Sequence, residues 1–142
     1  LRQWAATENI NAFVEEPLMS LLNALMGNAN TVDPQSLAGE LANILIPGEK
    51  IEHAYKLVRD LIVFTDKRLL FVDKQGMTGK KIEYQSVPYA KIAFFSVETA
   101  GTLDMDAEMK IGVSGGGMFG KTFGRGVDIS EVQRVLATYV LV

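Results

Sequence analysis

At Pro47-Gly48 the spacing of apolar residues changes from about four to two, and this switch limits the fold more than any other feature. Before it, Leu18, Leu21, Leu22, Leu25 and Met26 recur at helical spacing, with Pro17 where a first helical turn tolerates proline. Gly27-Asn28-Ala29-Asn30 is a stop and a loop. Asp33-Pro34 then reads as an N-cap followed by proline at the first helical position, and Leu37, Leu41, Ile44 and Leu45 form a second stripe. The spacing therefore predicts an αα-hairpin over residues 1–48. Each of its apolar stripes must be buried on the other helix, on the rest of the chain or on another chain.

After the switch the pattern is β. Ile51, His53, Tyr55 and Leu57 alternate with Glu52, Ala54 and Lys56. Leu61 to Thr65 and Leu69 to Val72 are apolar runs on either side of Asp66-Lys67, which predicts a hairpin with both strands largely buried. Strands are also expected at Lys81–Gln85, Lys91–Thr99, residues 104–113 and Met118–Phe123. Phe94 and Phe95 should point to opposite faces. In the long alternating strand, Met105, Ala107, Met109, Ile111 and Val113 face one way, and Asp104, Asp106, Glu108 and Lys110 the other. The last element is a helix. Asp128 is its N-cap, Glu131 completes an Asp variant of the capping box, and Val127 and Val132 form a hydrophobic staple. Ile129, Val132, Val135, Leu136 and Tyr139 give it a continuous apolar face. Short strands with one terminal helix predict a mainly β fold, a sandwich or barrel whose opening the helix closes. The expected organisation is a helical extension at 1–48 and a barrel domain at 49–142.

Composition narrows the function. The 142 residues carry a net charge of −3, against the basic surplus that a general nucleic-acid binder needs. The absence of cysteine removes disulfides, thiol catalysis and Cys-type zinc sites, and it fits the cytoplasm, the expected location. No apolar run reaches the roughly 20 residues of a membrane-spanning helix. Glu15 and Glu16 precede Leu18–Met26 where a signal peptide would carry positive charge.

Several segments resemble, in order, the bacterial pleckstrin-homology-like family. They are Arg59-Asp60-Leu61-Ile62-Val63-Phe64-Thr65-Asp66-Lys67-Arg68, Val72-Asp73-Lys74-Gln75-Gly76 with Gly79-Lys80-Lys81, Phe95-Ser96-Val97-Glu98-Thr99-Ala100-Gly101 and Gly126-Val127-Asp128-Ile129. The resemblance covers about residues 40–142. It implies a barrel of two near-orthogonal antiparallel sheets plugged by the C-terminal helix. It also implies ring-shaped homo-oligomers, some with an N-terminal helical hairpin. No catalytic residues come with it.

Four constellations carry candidate chemistry. Gly115-Gly116-Gly117-Met118-Phe119-Gly120-Lys121-Thr122 satisfies the phosphate-cradling pattern G-x-x-x-x-G-K-[ST]. That loop must open a helix, and Gly124 and Gly126 argue against one, so a glycine-rich hairpin is the competing reading. Asp104, Asp106 and Glu108 line one strand face, but carboxylates about 7 Å apart along a strand do not converge on one cation, so a solvated or partner-facing row is expected. His53 stands alone and reads as a core or barrel-rim residue. Lys67, Arg68, Lys74, Lys80 and Lys81 surround two hairpin turns, offset by Asp66 and Asp73. Basic hairpin tips bind inositol phosphates in eukaryotic pleckstrin-homology domains. Those sites use a basic residue spaced one apart from an arginine, whereas Lys67 and Arg68 are adjacent.

The expected function is a non-catalytic homo-oligomeric binding or scaffold module. It has no catalytic residue, metal site or cofactor. Its partner is itself, in a cyclic and five-fold assembly, with no nucleic acid. The candidate oligomer contacts are Leu21, Leu22, Leu25, Leu41, Asp104, Asp106 and Glu108. One alternative is weak peripheral contact with anionic lipid at the inner membrane through Lys67, Arg68, Lys80 and Lys81. The other is nucleotide binding at Gly115–Thr122.

Overall fold

The structure, a computed structural model, describes residues 34–58, 60–75, 81–99, 106–124 and 126–142. The predicted first helix at Leu18–Met26 and the Asp33 cap lie outside them. Helix α1 spans Pro34–Glu40, starting on the proline as its fixed φ favours. It relaxes into turns held by Leu41 N–H to the Leu37 carbonyl (3.0 Å) and Leu45 N–H to the Leu41 carbonyl (3.1 Å). Strands β1 (Ile51–Lys56), β2 (Leu61–Thr65), β3 (Arg68–Gln75) and β4 (Lys81–Pro88) form one antiparallel sheet in that order. A short 3₁₀ turn at Tyr89–Lys91 leads to the second sheet, β5 (Ile92–Glu98), β6 (Glu108–Val113) and β7 (Gly117–Thr122). Helix α2 (Ile129–Val140) follows.

Register decides which residues meet in the core. Leu57, Ile62, Phe64, Leu69, Phe71, Met109, Ile111 and Phe123 fill the space between the sheets, closed by Val132, Val135 and Leu136 of α2. The alternation expected for residues 104–113 holds over the described part: Ala107, Met109 and Ile111 are buried, and Asp106, Glu108 and Lys110 are exposed. The α2 start behaves as its sequence indicates. Glu131 N–H donates to Asp128 Oδ1 at 3.1 Å, and both staple valines are buried. The Glu131 carboxylate accepts from the Tyr55 hydroxyl at 2.6 Å, tying the helix to β1.

A second apolar layer lies on the outer face of the four-stranded sheet. Leu37 and Leu41 pack there on Ala54, Leu61, Val63, Leu70 and Val72, with Ile44 and Leu45 at the margin. This corrects one expectation: Leu41 is fully buried within its own chain and is not an oligomer contact. The barrel closes at one corner, where Leu57 bridges Phe123 and Val58 N–H donates to the Thr122 carbonyl at 2.8 Å.

Candidate functional site

Three places concentrate polar or exposed side chains. The first is the corner where the α1 segment meets the β2–β3 turn. Arg68 Nε and a terminal nitrogen donate to the two Glu49 oxygens, each at 2.9 Å, a bidentate pairing of the strong kind. The same guanidinium reaches Ser86 Oγ and the Ile44 carbonyl, both at 2.8 Å. The Thr65 hydroxyl donates to Glu49 at 2.6 Å and accepts the Lys67 and Arg68 amides. Burial alone would raise the Glu49 carboxyl; hydrogen bonds from Arg68, Thr65 and Ile46 N–H, with the guanidinium charge, outweigh it and lower the pKa to about 2. Nearby, Lys50 N–H donates to Asp66 Oδ1 at 2.8 Å, and the Tyr89 hydroxyl donates to the Thr65 carbonyl at 2.7 Å. The Tyr89 ring stacks on Tyr139 at 4.6 Å, and burial pushes both phenols up from their ordinary range.

The second place contains the glycine-rich string. Residues 114–116 form a turn with Gly115 at φ 73, and Lys121 and Thr122 lie in β7. A phosphate cradle needs that lysine and threonine at the start of a helix, with amides aimed at the ligand. Here Lys121 points into the barrel, donates to Asp73 Oδ2 at 2.9 Å and sits 5.1 Å from the Phe71 ring centre. The nucleotide alternative is therefore corrected: the string is a β-hairpin, and its lysine is a partner for Asp73. Beside it a shallow groove of about 410 Å³ runs between Leu57, Val58 and Asp60, Asp106, and Gly120 to Thr122.

The basic residues do not come together. Lys67 follows β2, whereas Lys81 pairs with Gln75 at the far end of β3. Seven residues of strand separate the two ends of β3, about 23 Å. Arg68 is withdrawn from the candidate anionic-surface set, because its guanidinium is committed to Glu49, Ser86 and Ile44. Lys67 and Lys81 are exposed; Lys80 lies outside the described residues. Of the candidate oligomer contacts, Asp106 and Glu108 are exposed, while Leu21, Leu22, Leu25 and Asp104 lie outside the described residues. His53 is half-buried, edge-on to Phe64, as a rim residue should be.

The third place is one that sequence reasoning missed. Phe94 and Met118 are 55% and 61% exposed, flanking Gly112 on the outer face of the three-stranded sheet. A glycine inside an otherwise regular alternating strand is the available signal, since it marks close approach by another group. Glu49 had no such signal.

Comparison with known proteins agrees with this architecture. The family model for the bacterial PH domain matches residues 20–140. The uncharacterized Bacillus subtilis protein YjqA is 54% identical over 121 residues, covering 84% of this chain and 97% of that protein. The crystal structure of a pleckstrin homology domain from Shewanella amazonensis is 53% identical, with a TM-score of 0.71 over 86% of this chain and 99% of that one. A DUF1696 family protein with a pleckstrin-homology domain from Shewanella loihica is 47% identical, with a TM-score of 0.69 over 80% and 98% of the two chains. Two antiparallel sheets, a closing C-terminal helix and this degree of identity place the chain in one family: it belongs to the bacterial pleckstrin-homology domains.

Proposed function

We propose that this domain is a non-catalytic assembly module that works as a homo-oligomer, its barrel acting as a scaffold. One observation carries the reading. Strand β7 is the edge of its sheet and keeps an unbroken register with β6 from Gly117 to Thr122, with no proline and no bulge. Among the described residues, only its C-terminal end is tied elsewhere, by Val58 N–H and the adjoining Leu57–Phe123 bridge. Natural proteins cover, pair or blunt such edges. Met118 on this edge strand is exposed, and Phe94 is exposed on the same face two strands away, on β5. The lipid alternative gains no comparable support, because Lys67 and Lys81 stand at opposite ends of the β3–β4 hairpin.

Light scattering on the full chain at tens of micromolar tests the reading. The expected mass is a multiple of the 15.6 kDa chain, five times it for a five-fold ring. A single-chain mass refutes it. Loss of the multimer when residues 1–33 are removed would place the main contact on the N-terminal segment instead of the barrel.

A further inference from the structure

The buried apolar residues form two layers that share a sheet but not a side. The barrel core lies between the two sheets and is closed by α2. The second layer is Leu37 and Leu41 seated on Ala54, Leu61, Val63, Leu70 and Val72, on the outer face of the four-stranded sheet. Among the described residues, none of α1 reaches the barrel core. Lifting α1 from its seat therefore breaks none of the contacts that fill the barrel.

Taken by itself, α1 is a poor helix. It has seven residues, whereas an isolated helix of fewer than about 12–15 residues is marginal in water. Gly39 stands inside it, exposed, with open space where a Cβ would go, so packing does not require a glycine there. Glycine is among the weakest helix formers. The helical form thus depends on the seat. Leu37 and, in the turn after the helix, Leu41 stand four positions apart, fall on one side and are both fully buried.

The base of the segment is fastened by other means. Arg68 donates to the Ile44 carbonyl at 2.8 Å and clamps Glu49 at 2.9 Å. Ile46 N–H closes the turn onto Glu49 Oε1 at 3.0 Å. These polar ties hold residues 44–49 to the corner at the β2–β3 turn, whereas Leu37 and Leu41 meet the sheet through apolar contact. The segment is therefore a strap with a polar anchor at one end and an apolar arm laid over the sheet.

We infer that residues 34–43 form a releasable strap, which lifts while the barrel stays folded and the Glu49–Arg68 anchor holds, and that the vacated seat takes an amphipathic helix of another protein with leucines four residues apart. The seat suits such a helix because Leu37 and Leu41 already present that spacing to it. The incoming helix competes with a short one interrupted by glycine, so a longer helix with a better former at that position displaces it. Segments held by few buried contacts are those that open locally. Release needs no second copy of the chain, so it stands apart from the homo-oligomer reading.

Hydrogen exchange on the full chain, corrected for intrinsic rates, tests the release. Residues 37–45 should exchange about tenfold faster than β2 and β3, or more. Val135→Ala opens a gap where α2 meets the barrel core. It should speed exchange in β2 and β3 and leave residues 37–45 unchanged. Exchange of residues 37–45 in step with β2 and β3 in both proteins overturns the strap. The seat is tested with a labelled peptide of residues 34–45, bridged between the exposed positions 35 and 39 to hold it helical. Followed by fluorescence anisotropy, it should bind Leu41→Ala, whose own strap is weakened, about tenfold more tightly than the wild type, because apparent affinity follows the open fraction. Leu37→Ala serves in the same way if Leu41→Ala fails to fold. Equal binding to variant and wild type, or binding to neither, overturns the seat.

Discussion

Replacing Arg68 by methionine leaves the Glu49 carboxylate buried without its cation. The Glu49 side chain is fully buried and that of Arg68 is 20% exposed, so water cannot make up the loss. Removing one partner of a buried pair costs about 3–5 kcal/mol, a large share of the roughly 5–15 kcal/mol that holds a domain together. The pKa gives a similar size. A drop from 4.5 to about 2 corresponds to about 3 kcal/mol at about 1.4 kcal/mol per unit. It also fixes a sign. A carboxyl whose folded pKa is depressed contributes stability in full above its unfolded value of 4.5 and loses it as pH falls toward about 2. Wild-type stability should therefore decline through that window. In Arg68→Met, burial that raises the carboxyl is opposed only by the Thr65 hydroxyl and the Ile46 amide, so the decline due to Glu49 should disappear. Urea unfolding at several pH values between 3 and 7 measures both effects. A loss under about 1 kcal/mol at pH 7, the range of a solvated pair, with the acid decline intact, would refute the reasoning. Glu49→Gln in the Arg68→Met background should recover part of the stability, because the uncompensated charge is gone.

Lys121→Ala should leave nucleotide affinity absent by calorimetry, while costing about 1–3 kcal/mol of stability because Asp73 loses its partner; tight, magnesium-dependent ATP binding abolished by the change would overturn the hairpin reading. Gly112→Ala should cost under about 1 kcal/mol in urea unfolding, since the clashing atoms are the far end of the exposed Phe94 ring, which can swing into solvent; a cost above about 2 kcal/mol would show that the ring is held against the sheet. Binding to anionic liposomes should be weak, without preference among phosphoinositides, and lost at high salt, because exposed charges are screened within about 10 Å at 0.1 M. Selective micromolar binding by co-sedimentation would reverse that conclusion.

Much of the fold was legible because it depends on local signals. The α2 cap at Asp128, the alternation over 107–111 and the turn at residues 114–116 each follow from residue type and spacing. The candidate site was less legible because it depends on which turns share an end. Lys67 and Lys81 belong to consecutive turns of an up-and-down meander. Consecutive turns point to opposite ends of the strand they share, here β3. The separation was available from topology alone, and a count of bases around hairpins overlooked it. The Glu49–Arg68 pair had no such signal. The two residues lie 19 positions apart, and neither a glutamate after Pro-Gly nor an arginine after a turn differs from a solvated one until the chain is folded. The outward turn of Phe94 was marked in sequence only by Gly112 opposite it, because it comes from a register shift that strict alternation cannot anticipate.

The fate of Leu41 shows where a sequence pattern carried more than was taken from it. Leu61 to Thr65 is buried at every position, and Leu69 to Val72 likewise. An antiparallel strand with one solvated face alternates, whereas a strand apolar at every position requires a cover on both faces. The barrel core covers one face of β2 and β3. The other needed a second apolar layer of limited width, and the stripe through Leu37 and Leu41 supplies it, Leu41 standing 20 positions before Leu61. Assigning Leu41 to an oligomer contact left the outer face of the sheet without that cover. The same logic, applied to β5–β7, gives the opposite answer. There the strands alternate, the outward positions are Ser, Glu, Lys, Gly and Thr, and water suffices for all but Phe94 and Met118. Those two residues are the exception to a polar face, and Met118 lies on the unblunted edge strand β7. On the homo-oligomer reading proposed above, a contact between copies would cover both features, which solvent leaves open.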